Sequence, residues 1–157
     1  MVVLVVAVAA AYMWWSNSSP KFDQGITVGK RAVEIEVDGL NQTRFVLSDH
    51  GGEVVIVEFM TTWCPGCEAQ IEVFKRLKEE IDVTIASINV DTTTQPSADW
   101  VTERGINWFV GNSPEAALTY DISYVPTVIL IDKEGVIRYR GGPRSLDGLR
   151  LLVQQFQ

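Results

Sequence analysis

The chain has 157 residues, 46% of them apolar and 21% charged, with a formal charge of -7. That size and balance fit one globular domain and exclude a collagen, a disordered tail and a multidomain enzyme. Excess acidity without any Lys/Arg-rich run excludes a phosphate-backbone partner, because nucleic-acid binding needs a clustered basic surface. Two cysteines and one histidine, His50, cannot supply the four Cys/His ligands of a structural zinc site.

Val2 to Trp15 is an unbroken apolar stretch that ends at the polar cluster Ser16-Asn17-Ser18-Ser19-Pro20. It falls short of the roughly 20 residues that span a bilayer, and no basic residues precede it. Trp14 and Trp15 beside the polar flank suit the aromatic belt of a membrane surface. Residues 1–19 therefore read as a hydrophobic leader and short linker, and 20–157 as the folded domain. The pattern favours retention as an anchor over cleavage near Ala7-Val8-Ala9. Either fate places the domain outside the cytoplasm.

From Ile26 onward the pattern is mixed α/β. Val33 to Val37 alternates like a half-buried strand, Asp38-Gly39 marks a turn, and Thr43 to Leu47 returns as a second strand, predicting an N-terminal hairpin. Val54 to Met60 is nearly continuous and β-branched, the mark of a central strand covered on both faces. After Pro65, Cys67, Ile71, Phe74, Leu77 and Ile81 recur at helical spacing. Val83 to Val90 then reads as a strand reached by a β-α-β crossover, which makes the sheet parallel at its centre. Short helices are expected over Ala98 to Arg104 and Pro114 to Tyr120, with Trp100, Trp108 and Phe109 packing the region between them. Strands over Val125 to Ile131 and Val136 to Tyr139 make a terminal hairpin. Gly141-Gly142-Pro143 breaks the chain before a closing helix capped by Ser145.

Trp63-Cys64-Pro65-Gly66-Cys67 sits where the central strand ends and the helix begins. A thiol there faces free backbone N–H groups and the positive end of the helix dipole, which favour the reactive thiolate. Cys64 is thus the candidate nucleophile, and Cys67, one turn on, is placed to resolve a mixed disulfide. Pro65 suits the first helical position, and Gly66 leaves room for a partner chain. Haem attachment would need histidine after the second cysteine, where Glu68 stands. An inert structural disulfide is the bland alternative, though a bridge closing so small a loop is a poor staple. Trp63 fits either a surface that receives partner proteins or inward packing.

Glu58 is the one ionisable residue within the central apolar run. Burial would raise its pKa and let it exchange a proton with Cys67; the alternative is escape to solvent at the strand end. Glu68 brings a negative charge beside the pair, which opposes thiolate formation.

Val-Glu-Phe-Met-Thr-Thr-Trp-Cys-Pro-Gly-Cys, followed much later by Tyr124-Val125-Pro126-Thr127, resembles the thioredoxin superfamily. The N-terminal hairpin, the segment from Asp91 to Ser123 and the run Val125 to Ile137 resemble its membrane-anchored TlpA/ResA-like branch. The resemblance covers about residues 26–157. It implies a thioredoxin-like fold: a central mixed β-sheet flanked by helices, with an N-terminal β-hairpin and an inserted segment. It further implies a cis Pro126 beside the cysteine pair, where Val125 pairs with an extended substrate. Thioredoxins carry an acidic residue at the position of Glu58. They carry Lys or Arg where Glu68 stands, and ordinary thioredoxin has Gly-Pro where Pro65-Gly66 stands.

On this reading the protein is a membrane-tethered, extracytoplasmic thiol–disulfide oxidoreductase. Cys64 and Cys67 form its redox-active disulfide, Glu58 manages the proton, and Trp63, Pro65, Gly66, Val125 and Pro126 meet the substrate. No cofactor or metal is expected. Partners are disulfide-containing proteins, such as apocytochromes or metal-site cysteines, and a membrane electron donor of the DsbD/CcdA type. The same pair run backwards would donate a disulfide, and nothing in the sequence sets direction. Two rivals use the same thiols: a Cu(I) metallochaperone, and a peroxide-reducing enzyme with Cys64 as the peroxidatic thiol.

Overall fold

The computed structural model describes residues 22–157, and the leader expected over 1–19 lies outside them. The first described strands are minor: β1 (Gln24–Gly25) and β2 (Arg31–Ala32) pair in parallel over two residues each. β3 (Glu36–Asp38) and β4 (Arg44–Val46) form the antiparallel hairpin that the alternation predicts. It is shorter than expected, because the chain beyond Val46 coils into a 3-10 turn over Leu47–His50 instead of extending.

The framework follows as β5 (Val55–Met60), α1 (Pro65–Glu80), β6 (Thr84–Asn89), α2 (Ala98–Glu103), β7 (Phe109–Asn112), α3 (Pro114–Thr119), β8 (Thr127–Ile131), β9 (Ile137–Gly141) and α4 (Leu146–Phe156). The five long-range strands make one sheet in the order β7-β6-β5-β8-β9. β5, β6 and β7 run parallel, whereas β8 is antiparallel to both β5 and β9. The fold is thus α/β, with a mixed sheet whose central strand β5 is parallel to β6 and antiparallel to β8, so the expected parallel centre holds on one side only. Every residue of β5 is buried, as its continuous apolar run predicts.

Alternation along β5 divides the core. Val55, Val57 and Phe59 face Val37, Phe45, Tyr120, Ile129 and Ile131, so the hairpin and α3 cover that side. Val54 and Ile56 lie with Phe74 and Leu77 of α1 and with Leu146, Leu149 and Val153 of α4. Each such aliphatic or aromatic side chain contributes about 1.5–3 kcal/mol by leaving water. The helical spacing read from Cys67 through Leu77 is the buried stripe of α1, and Ile81 caps its end.

Two tethers hold the N-terminal segment against this frame. The Tyr120 hydroxyl donates to the Val33 carbonyl, and Arg140 of β9 donates to the carbonyls of Ile26 at 3.1 Å and Tyr120 at 2.6 Å. Like the two-residue β1 and β2, β7 is a strand that the sequence pattern did not announce. It is four residues long and contains Gly111, and its pairing with β6 rather than any period of its own makes it a strand. Ser97, Ser113 and Ser145 each accept a backbone N–H as the N-cap of α2, α3 and α4.

Candidate active site

Cys64 is the N-cap residue of α1, with Pro65 at the first helical position. Its Sγ accepts the Cys67 N–H at 3.1 Å, and its carbonyl accepts the N–H groups of Cys67 and Glu68 at 3.1 Å. The two cysteines are joined as a disulfide, with Cα atoms 5.3 Å apart. Cys64 is 6% exposed and Cys67 only 1%, so Cys64 is the less buried of the two. The backbone donors that cap Cys64 would serve a thiolate equally well once the bridge is reduced, and the helix dipole adds to them.

The Val125–Pro126 peptide bond is cis, as the resemblance implies. Pro126 lies against the first turn of α1: a Cβ built on Gly66 would stand 3.2 Å from Pro126 Cδ and 4.0 Å from Cys64 Sγ. Pro126 thus borders the half-exposed surface at Gly66. Val125 packs against the cluster formed by Met60, Cys64 and Cys67. Its neighbour Tyr124 is 55% exposed.

Trp63 turns outward and is 65% exposed, so it does not pack inward. Its indole is nevertheless anchored, because Nε1 donates to Asp91 Oδ2 at 2.7 Å. Asp91 opens the loop after β6, and its other oxygen accepts the backbone N–H and hydroxyl of Thr93, each at 2.8 Å. The Trp63 hydrogen bond, followed by those of Thr93, pulls the Asp91 carboxyl down to about 2. Sequence reasoning missed Asp91. The Asp-Thr-Thr run signals an Asx-turn but says nothing about a tryptophan 28 residues away.

Glu58 is fully buried, so the reading in which it escapes to solvent does not hold. It lies on the same face of β5 as Met60, which packs with both cysteines. Oε2 accepts the Ser87 hydroxyl at 2.8 Å, and Oε1 has no hydrogen-bond partner among the described residues. Desolvation pushes the carboxyl up to about 8, the Ser87 hydrogen bond acts against this, and the negative charge of Glu68 adds to it.

Glu68 is not the bare charge that its place in the sequence suggests. Arg104, which caps the end of α2, donates to Glu68 Oε1 from both Nε and Nη2 at 2.7 Å. The guanidinium also lies over the Trp100 ring, 4.3 Å from its centroid. Arg104 was not among the residues singled out in the sequence. Among the described residues, no group of three or more His, Cys, Asp or Glu is gathered as a metal-ligand set.

A disulfide at a helix N-terminus has a cis proline alongside, and a buried carboxyl lies on the strand face whose Met60 packs against it; residues 28–140 match the AhpC/TSA family. The chain belongs to the AhpC/TSA family. Within this thioredoxin-like family it is a thiol–disulfide oxidoreductase, and Cys64 and Cys67 form a CXXC disulfide. It is 26% identical to the thiol-disulfide oxidoreductase ResA of Bacillus cereus over 143 residues, covering 87% of this chain and 82% of that one. It is 25% identical to the thiol:disulfide interchange protein DsbE of Escherichia coli over 150 residues, covering 88% and 80%. Its fold is that of the thioredoxin domain of a thiol-disulfide oxidoreductase from Bacteroides vulgatus, with a TM-score of 0.69, 22% identity and coverage of 84% and 99%.

Proposed function

We propose that this family member reduces disulfides in selected proteins outside the cytoplasm, held at the membrane by the leader over residues 1–19. The observation that carries the reading is the asymmetry of the pair. Cys64 is the less buried cysteine and caps α1, whereas Cys67 is buried on the side of the strand that carries Glu58.

The reaction divides among these groups. Reduced Cys64 attacks one sulfur of the substrate disulfide as thiolate, forming a mixed disulfide and expelling the other substrate sulfur as a thiolate, which takes a proton. Glu58 accepts the proton of Cys67, and the Cys67 thiolate attacks Cys64 Sγ, closing the bridge and expelling the second substrate sulfur as a thiolate, which takes up a proton from solvent as Glu58 returns its own. Two electrons and two protons pass to the substrate. Trp63 and Pro65 are exposed beside the reactive sulfur, while Gly66 and Pro126 set the shape of the surface and Val125 offers backbone to an extended segment. Fitting substrates are apocytochromes awaiting haem or cysteines of a metal site, with electrons from a membrane thiol transporter of the DsbD/CcdA type.

The test is the reduction potential of the pair, measured on the full chain in detergent against thiol–disulfide buffers. A value near or below about -270 mV supports a reductase, and one approaching about -120 mV overturns that direction in favour of disulfide donation. In parallel, Cys67→Ser should accumulate a mixed disulfide through Cys64. Trapping by Cys64→Ser instead would reverse the assignment of the two sulfurs.

A further inference from the structure

The proton-handling role of Glu58 requires that one of its oxygens be held and the other left to take a proton, and the surroundings of the carboxylate do this. Glu58 of β5 and Ser87 of β6 are register partners in the parallel pair, and Ser87 Oγ lies 2.8 Å from Glu58 Oε2. Ser87 Oγ also lies 3.0 Å from Nε1 of Trp108, just before β7. An indole N–H can only donate, so the Ser87 oxygen must accept there, and its own proton is directed to Glu58. Trp108 is itself steadied by an edge-on contact with Phe74 of α1, their ring centroids 6.0 Å apart.

We propose that Ser87 and Trp108 are positioning residues for Glu58, the indole committing the Ser87 hydroxyl as a donor to Oε2 so that Oε1 receives the proton of Cys67. The inference rests on the role of Glu58 proposed above. The neighbours that strand register and helix packing set beside the carboxylate on two other sides are apolar. β8 brings Val128 to the register position beside it, and α4 turns Leu146, Leu149 and Val153 to this face. On α1, Glu68 is the charged group that bears on Glu58, and it is of like sign and paired to Arg104 of α2. The Ser87 hydroxyl is thus the donor that favours the ionised carboxylate, and Trp108 is what keeps it pointed there.

Full-length protein in detergent, reduced and followed by infrared spectroscopy from pH 5 to 10, shows the Glu58 carboxyl band as the one that Glu58→Gln removes. Ser87→Ala should move its midpoint in the alkaline direction by about one pH unit, the worth of one hydrogen bond to the charged form. The exchange rate at pH 7 should fall in step with the carboxylate fraction there, by up to the several-fold loss that Glu58→Gln itself produces. Trp108→Phe should shift both in the same direction by less, and Ser87→Thr, which restores the hydroxyl, should return them. Wild-type midpoints in both Ser87→Ala and Trp108→Phe would overturn the proposal while leaving Glu58 its role. A rate–pH profile unaltered by Glu58→Gln would instead remove the role of Glu58, and the proposal with it.

Discussion

Arg104 pairs with Glu68 at 2.7 Å and so offsets, at the first turn of α1, the negative charge that stands next to Cys67. The contact ties α2, part of the segment between β6 and β7, to the helix that carries the redox pair. Glu68 can thereby remain in the first turn, where an acidic side chain suits the helix dipole, with less effect on the thiols and on Glu58.

Removal of that pairing should be visible at Glu58. Arg104→Gln leaves Glu68 unpaired, so the Glu58 carboxyl is expected to titrate higher and the alkaline-rising limb of the exchange rate to move up in pH. Glu68→Gln is expected to move the limb the other way. In the double variant Arg104 has no charge to offset, and its limb should match that of Glu68→Gln alone. Separate additive shifts for the two sites would mean that Arg104 acts by another route.

Glu58 should also destabilise the oxidised fold at alkaline pH. Its folded pKa of about 8 lies above the ordinary 4.5, so the native state holds its proton more tightly than the unfolded chain does. Stability from this group is therefore full below about pH 4.5, declines as pH rises to about 8, and stays low above it. The full span is on the order of 5 kcal/mol. Glu58→Gln, which has no such titration, should show a Tm that gains on the wild type from about pH 5 to 8 and then holds its lead. Parallel Tm curves for the two proteins would contradict the buried ionisation. The same variant is expected to slow thiol–disulfide exchange several-fold.

Asp91 should matter to protein substrates and not to small ones. Asp91→Ala frees the Trp63 indole from its anchor, so KM for a protein disulfide should rise several-fold with kcat nearly unchanged, while a small aromatic disulfide should react at the wild-type rate. The carboxyl titrates at about 2, so the Trp63 contact should persist in acid down to about pH 3. A Trp63 emission change with a midpoint between pH 4 and 7 that Asp91→Ala abolishes would contradict this.

Gly66→Ala tests the approach of Pro126 to α1. The added methyl would meet Pro126 Cδ at 3.2 Å, and the overpacking should cost about 1–3 kcal/mol, against which better helix propensity returns at most about 1 kcal/mol. A net loss of about 1 kcal/mol in denaturant unfolding is expected, with slower attack at Cys64. A more stable variant would show that the proline side yields freely.

Local signals carried much of this molecule. The β-branched run of β5 announced a strand buried on both faces, because a strand with no wet side has no polar positions to alternate. The spacing of Cys67, Ile71, Phe74 and Leu77 announced α1, and Pro65 marked its first turn, so the placement of Cys64 at a helix N-terminus was legible from the chain alone. The cis Pro126 was reached through resemblance rather than residue pattern.

The partners of these groups were not legible. Ser87 lies 29 residues from Glu58, Trp108 another 21 from Ser87, Asp91 28 from Trp63, and Arg104 36 from Glu68. Period and propensity say which residues face inward, but register says which inward residues meet. Sliding β6 by one position against β5 would turn Ser87 to the opposite face of the sheet and leave Glu58 without its donor. The chemistry of Cys64 and Cys67 is thus written in a few consecutive residues, because a helix end acts over one turn. The tuning of that chemistry had to wait for the packed sheet, because it depends on side chains that only strand pairing and helix crossings bring within hydrogen-bond distance.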